Sequence, residues 1–351
     1  MNSECEEVLD IVEQLTVKTM ECQGVFNNIC VGNSLNGLQG MSSENPVVLS
    51  LLRALVTKVA KSPDELTPTT VGSALMGLRR MTTVSTEVRT LLAILALKIN
   101  ASKMVLNPIS FSMAFNGLRS MNESSIEMRA LLGTLSDKTY RMSEGALTPS
   151  ILSNALSGFR MMNCESAESK QALGSIFQKM GFISGEEKTA PRVLKHPAEG
   201  YFSSLDIGRA LFGLQNVDVD RVPDVLPLLN RLASAIRTSR VPLTGRDAGL
   251  ALHGLKSHSE ETEEARLIIA AIASRLSLSK DVLNAKSISM AMTGLQGMSS
   301  ESPAVCALLT ELMNRMGDFD SQVRSVIDFN YLYFYVVLCN EISCGENCDK
   351  M

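Results

Sequence analysis

Val71, Leu75 and Leu78 stand at i, i+4 and i+7, the spacing that puts three apolar side chains on one face of a helix. The stretch that holds the last two, Ser73-Ala74-Leu75-Met76-Gly77-Leu78-Arg79-Arg80-Met81, returns along the chain. Its Gly-Leu or Gly-Phe pair stands at Gly37, Gly77, Gly117, Gly158, Gly213, Gly254 and Gly294, at intervals of 40, 40, 41, 55, 41 and 40 residues. A fixed period of this size marks a repeat array, in which each unit buries its apolar face only by stacking on its neighbours. The pattern predicts an all-α fold: a right-handed α-solenoid of about seven 40-residue helix-turn-helix repeats plus an N-terminal half-repeat.

Each unit reads as two helices. Ten residues before the successive glycines stand Asn27, Thr67, Asn107, Thr148, Ser203, Thr244 and Asn284. Their side-chain oxygens can accept from the free amides of a first helical turn. Pro68, Pro108 and Pro149 follow at the first helical position, where proline is suited. Helix A is predicted to run about 13 residues from its cap, with the Gly inside it. A mid-helix Gly costs about 1 kcal/mol relative to Ala, so seven of them need an offset. Small residues also fill the positions five before each Gly (Gly32, Gly72, Ser112, Ser153, Gly208, Gly249, Ser289) and three before it, as at Ala74 and Ala114. The economical reading is close approach of helix A to its neighbours, where a larger side chain has no room. A polar turn follows Met81, and helix B is predicted from Thr86 to Asn100. Acidic residues near its start (Glu87, Glu127) and basic ones at its end (Lys98, Lys138) match the helix dipole.

The repeat divides the chain. Residues 1–24 resemble the second half of a repeat: either the chain begins mid-array, which would leave any targeting peptide outside it, or Met1 opens a capping half-repeat. Residues 25–180 hold repeats one to four, and 181–200 form a polar inserted loop rich in Gly, Pro, Lys and Glu. Residues 201–317 hold repeats five to seven. The tail, 318–351, diverges and is aromatic, with three of the chain's five Tyr in residues 329–338.

Composition narrows the chemistry. Apolar residues are 45% of the chain, aromatics 5%, and Trp is absent, so packing rests on Leu, Ile, Val, Met and Ala. The net charge of -4, from 33 basic and 37 acidic side chains, gives no overall basic field. That counts against strong non-specific nucleic-acid binding but leaves room for a local basic stripe. No run of 18 apolar residues occurs, so no membrane partner is expected. Five of the eight Cys lack metal-ligand spacing and read as reduced intracellular thiols. Cys339, Cys344 and Cys348 lack a fourth ligand, so no metal site is assigned. His196, His253 and His258 pair with no Cys or carboxylate at catalytic spacing, and no phosphate loop or nucleophile elbow occurs. Neither catalytic residues, a cofactor nor a small-molecule substrate is therefore expected.

The strongest candidate is a column. Two residues after the successive glycines stand Gln39, Arg79, Arg119, Arg160, Gln215, Lys256 and Gln296. All are long hydrogen-bond donors and none is acidic. Residues one, four and eight before the Gly share this helical face and vary, as at Asn116, Phe212 and His253, or Asn154 and Arg209. A constant frame with a variable polar stripe is the layout of arrays that read one RNA base per helical repeat. A face kept polar for solubility has the same appearance. A second basic set on helix B, Arg89, Arg129, Lys170 and Arg266, reads as a solvated face, with phosphate contact as its alternative.

The segment Leu66-Thr67-Pro68-Thr69-Thr70-Val71-Gly72-Ser73-Ala74-Leu75-Met76-Gly77-Leu78 resembles the signature helix of octotricopeptide repeats. It is also similar to the helical repeats of kinetoplastid RNA-editing substrate-binding complex subunits and of FAST-kinase-like organellar proteins. The resemblance covers residues 25–316. It implies a non-enzymatic α-solenoid that binds single-stranded organellar RNA, in mitochondrion or chloroplast, for processing, stability or translation. No catalytic activity comes with it. The alternative is a protein-protein interaction scaffold of HEAT or armadillo type, using the same face for a protein partner.

Overall fold

All seven capping residues cap a helix. The oxygens of Asn27, Thr67, Asn107, Thr148, Ser203, Thr244 and Asn284 accept from the backbone amides of Cys30, Thr70, Ser110, Ile151, Asp206, Asp247 and Ser287. The computed structural model describes residues 5–180, 201–239, 241–258, 261–299 and 301–315. The expected insertion at 181–200 and the tail from 318 lie outside the described residues.

Among the described residues the chain is all-helical, with fifteen α-helices and no strand. The seven A helices are α2 (Asn28–Asn36), α4 (Pro68–Gly77), α6 (Pro108–Asn116), α8 (Pro149–Leu156), α10 (Ser204–Gly213), α12 (Gly245–His253) and α14 (Ala285–Gly294). The B helices are α1 (Glu6–Glu21), α3 (Pro46–Lys61), α5 (Thr86–Ala101), α7 (Ile126–Tyr140), α9 (Ala167–Lys179), α11 (Leu226–Thr238), α13 (Glu263–Leu276) and α15 (Pro303–Met313). Each A helix packs on the next A helix, from α2 to α14. The B helices form a second layer in the same way, with α9 meeting the short turn Pro223–Val225 that leads into α11. The apolar faces of the two layers meet in one continuous core, which holds Leu75, Leu78, Leu91 and Leu95 fully buried. Phe111, Phe115 and Phe159 extend it across two repeats, with ring centroids 5.0 and 5.6 Å apart. This is the layered stack that an α-solenoid requires. Helix α1 packs on α3, but its Ile11 and Leu15 are 53% and 49% exposed, while Leu51 and Leu55, one period on, are buried.

The repeated Gly stands elsewhere in its helix than the propensity argument put it. Helix A is 8 to 10 residues long, and its Gly is the last helical residue or lies just beyond it. Past it the backbone tightens into i→i+3 bonds, as from the Leu78 amide to the Leu75 carbonyl at 2.9 Å and from Met81 to Leu78 at 2.8 Å. At a helix end the entropic cost of Gly is smaller than in mid-helix. Its conformation is not the reason for it either, since Gly117 has φ -61°. The reason is contact. A Cβ on Gly77, Gly117, Gly158, Gly213, Gly254 or Gly294 would lie between 1.8 and 2.3 Å from the carbonyl oxygen of the preceding A helix. The small residues five places earlier serve the opposite side: a Cβ on Gly72 would meet Ser110 Cα at 2.9 Å, and one on Gly249 the Ser287 oxygen at 2.6 Å. Each A helix thus touches both neighbours through backbone.

Two basic sets turn out to hold the frame. Lys98 Nζ donates to the Ser62 carbonyl at the end of α3, 2.6 Å away, and Lys138 Nζ to that of Ser102 at the end of α5. Arg275 and Arg315 reach the ends of α11 and α13 in the same manner. These cations neutralise the open carbonyls of the preceding B helix as well as sitting at the end of their own. Arg89 donates to the Thr83 and Val84 carbonyls at 2.9 Å, and Arg129 to those of Glu123 and Ser124. The expected solvated face is therefore in part a clamp on the turn between helices A and B.

Candidate nucleic-acid interface

The column sits in the tight turn that closes each A helix, so the A-layer spacing becomes the spacing of its side chains. Neighbouring turns are stitched together by hydrogen bonds. Arg80 Nη1 donates to the Gly40 carbonyl at 3.2 Å, Ser120 Oγ to that of Arg79 at 2.8 Å, and Ser257 Oγ to that of Gln215 at 2.7 Å. These donors occupy the position next to the column, and one period separates each donor from its acceptor.

Gln39, Arg79, Arg119 and Arg160 are half-buried on this wall, while Lys256 and Gln296 are exposed. Gln215 differs: it is 5% exposed, and its Nε2 donates to the Arg160 carbonyl at 3.2 Å. Its amide joins repeats four and five rather than facing solvent. Asn216 Nδ2 donates to the same oxygen at 2.9 Å.

Arg79, Arg119 and Arg160 form the heart of the column. Among the described residues none of the three makes an ion pair, although Arg53, Arg221 and Arg315 all do. Burial, then the charges of Arg79, Arg160, Arg80 and Arg209, pull the Arg119 guanidinium below its ordinary pKa. Like charges gathered without a counter-ion repel, so this arrangement costs stability. The next repeats supply a ring system. The Arg160 guanidinium lies 4.7 Å from the centroid of Phe212, whose ring is 5.4 Å from that of His253 at 58°. Burial, with Lys256 and Arg160 nearby, pushes the His253 pKa down.

Unpaired polar atoms gather here as well. Among the described residues eleven buried side-chain nitrogen or oxygen atoms have no hydrogen-bond partner, and six belong to this face: Nε of Arg79, Arg119 and Arg160, Oδ1 of Asn116, Oε1 of Gln215 and Nδ1 of His253. Native structures leave few such atoms, and a cluster of them calls for a bound group or water. The Asn at two variable positions pair with each other instead: Asn116 Nδ2 donates to Asn154 Oδ1, and Asn154 Nδ2 donates to Ser112 Oγ at 2.6 Å.

Charge is sorted between the layers. From ten residues before each Gly to five after it, the seven A segments carry eight basic residues, Arg79, Arg80, Arg119, Arg160, Arg209, Arg246, Lys256 and Lys286. They carry three acidic ones, of which Asp206 and Asp247 are buried and accept from Ser153, Ser203, Ser204 and Thr244. In a chain of 33 basic and 37 acidic residues, the remainder is therefore acidic.

Comparison with family models, with curated proteins and with solved structures finds no match for this chain. Among the described residues no group of three His, Cys, Asp or Glu is placed to hold a metal, and no helix is long and apolar enough to cross a membrane. The Cys339, Cys344 and Cys348 spacing lies outside the described residues.

The period exposed the column in the sequence and placed Arg209 on the same face as a variable residue, but not that Arg209 adds to the field on Arg119. Nor did the sequence mark the residue beside the column as the stitch between turns. Its signal is a donor at that position in four repeats: Arg80, Ser120, Asn216 and Ser257.

Proposed function

We propose that the A-layer wall binds single-stranded RNA, with Arg79, Arg119 and Arg160 donating to successive phosphates. The observation that carries this reading is the row of three arginines, half-buried, close enough to repel and without a carboxylate partner among the described residues. A polyanion supplies the missing counter-charges, and a guanidinium matches phosphate geometry in two-point contact. Single-stranded rather than duplex nucleic acid fits a site of one small unit per repeat, because a solenoid turn presents one side chain per helix pair. Lys256 and Gln296 extend the strip, and Gln39 begins it. The organellar setting rests on the octotricopeptide resemblance alone, and no catalytic step is assigned.

The test is a filter-binding series with an RNA heptanucleotide between 50 and 200 mM salt. Contacts to about four phosphates give a slope near -3 in log affinity against log salt. Absence of any retained RNA at 50 mM salt rules the reading out. A second reading, a docking wall for an acidic protein segment, is favoured by Ile29 and Ile109, which lie on this face 69% and 68% exposed. An acidic peptide that displaces the RNA with equal affinity supports that reading instead.

A further inference from the structure

The wall is not uniform along its length. Repeats two to four present guanidinium groups, and repeats five and six present rings. Phe212 is half-buried and lies between the Arg160 guanidinium, 4.7 Å from its centroid, and the His253 ring, 5.4 Å away. Each comes from a different repeat, so three consecutive repeats contribute to one cluster of delocalised groups, its two rings tilted 58° to each other. His253 adds a buried Nδ1 with no hydrogen-bond partner. An arginine column alone does not require an aromatic residue here. The equivalent position holds Asn36, Met76, Asn116, Ser157 and Thr293 in other repeats. Aromatics are only 5% of the chain, and most Phe in the described repeats serve the core, as Phe111, Phe115 and Phe159 do. Phe212 instead stands on the solvent side of its helix, with the cationic edge of the column laid against it.

We infer that Arg160, Phe212 and His253 form a base-stacking subsite, which takes one unpaired base of the strand whose neighbouring phosphates rest on Arg160, Arg119 and Arg79. This rests on the RNA-binding reading and deepens it. Phosphate contacts are blind to the base, whereas aromatic and guanidinium planes stack any base and reject a backbone that lacks one. Arg160 would serve both halves, holding a phosphate through its guanidinium nitrogens while the group sits over the Phe212 ring.

The experiment compares two strands of equal charge on the full chain: an adenine heptanucleotide and an abasic ribose-phosphate strand of the same length. The wild type is expected to bind the first about 5- to 100-fold more tightly, the weight of one stacked base. Phe212→Leu is expected to close most of that gap and leave the abasic strand unaffected, while Phe212→Tyr keeps it. The salt slope is the same in all three proteins, because no phosphate contact is removed. A 2-aminopurine placed at each position in turn should be quenched at one position by the wild type and by Phe212→Tyr, but not by Phe212→Leu. Equal affinity for the two strands overturns the stacking subsite and leaves the phosphate column standing. No binding of either strand at 50 mM salt overturns both.

Discussion

A Cβ on Gly117 would lie 2.1 Å from the carbonyl oxygen of Leu75, in the preceding A helix. No real Cβ sits so close to an oxygen, so the two helices must move apart to admit a methyl group. The first repeat is different: a Cβ on Gly37 would meet only the Asn33 and Ser34 oxygens of its own helix, at 3.5 Å. Gly117→Ala is therefore expected to lose about 1–3 kcal/mol by overpacking, and Gly117→Leu more. Gly37→Ala is expected to gain about 0.5 kcal/mol, because only the unfolded chain loses freedom. Urea denaturation of the variants checks both, and equal responses at the two sites would refute the close-contact account.

The Lys138 ammonium is buried and donates to the Ser102 carbonyl at the end of α5. Lys138→Met keeps the stem and removes the donor, which leaves a helix-end carbonyl buried and unpaired. The expected loss is about 1–3 kcal/mol. Lys18 holds the same place in α1, but its side chain is 75% exposed and meets only Glu21 at 3.1 Å. Lys18→Met should stay within about 0.5 kcal/mol of wild type. Amide exchange at the end of α5 should quicken in the first variant, and unchanged protection there would count against the staple.

Features set by neighbours along the chain could be read from the sequence. Asn107 caps α6 by reaching three residues forward, and Thr86 opens helix B as its turn and acidic start require. Features that need the next repeat were read only where the period carried them. The small residue at Gly117 pointed to close packing, but the target, a carbonyl 42 residues earlier, was invisible, and propensity placed the Gly inside the helix rather than at its end. Lys138 was assigned to its own helix dipole because its true acceptor lies 36 residues back. In the site, periodicity placed Arg79, Arg119 and Arg160 together correctly. It did not show that the Gln215 side chain is buried, with its amide turned inward to the Arg160 carbonyl. The variable Asn116 and Asn154, open in the sequence to a solvated face or a ligand contact, hydrogen-bond to each other instead.

Arg119 is held among Arg79, Arg80, Arg160 and Arg209 with no counter-ion among the described residues. A group kept for binding and not for stability shows opposite responses to removal. Arg119→Gln is expected to raise the melting temperature or leave it unchanged, since it relieves repulsion. The same variant should weaken RNA binding severalfold and reduce the log-log salt slope by about 0.7, the share of one single-strand phosphate. A lower melting temperature with an unaltered slope would make Arg119 a structural residue and remove the centre of the proposed site.

His258 stands four residues after Gly254, where the other repeats place Met41, Met81, Met121, Met162, Val217 and Met298. It is 5% exposed, and neither ring nitrogen has a hydrogen-bond partner among the described residues. Burial pushes its pKa from 6.5 down to about 4, with Asp218 opposing only in part. The folded protein thus holds the neutral ring, while the unfolded chain takes a proton below pH 6.5. Stability is unaffected by this group above that value and falls as the pH drops from 6.5 towards 4, by up to about 3 kcal/mol. His258→Met restores the residue the repeat uses elsewhere and removes both unpaired nitrogens. It is expected to gain about 1 kcal/mol or more at pH 7. The larger effect is in acid, where the variant should lack the wild-type decline between pH 6.5 and 4. Urea midpoints measured at pH 7.5, 6, 5 and 4.5 decide it. If the two proteins fall in parallel through that range, the buried imidazole is not what limits the array in acid.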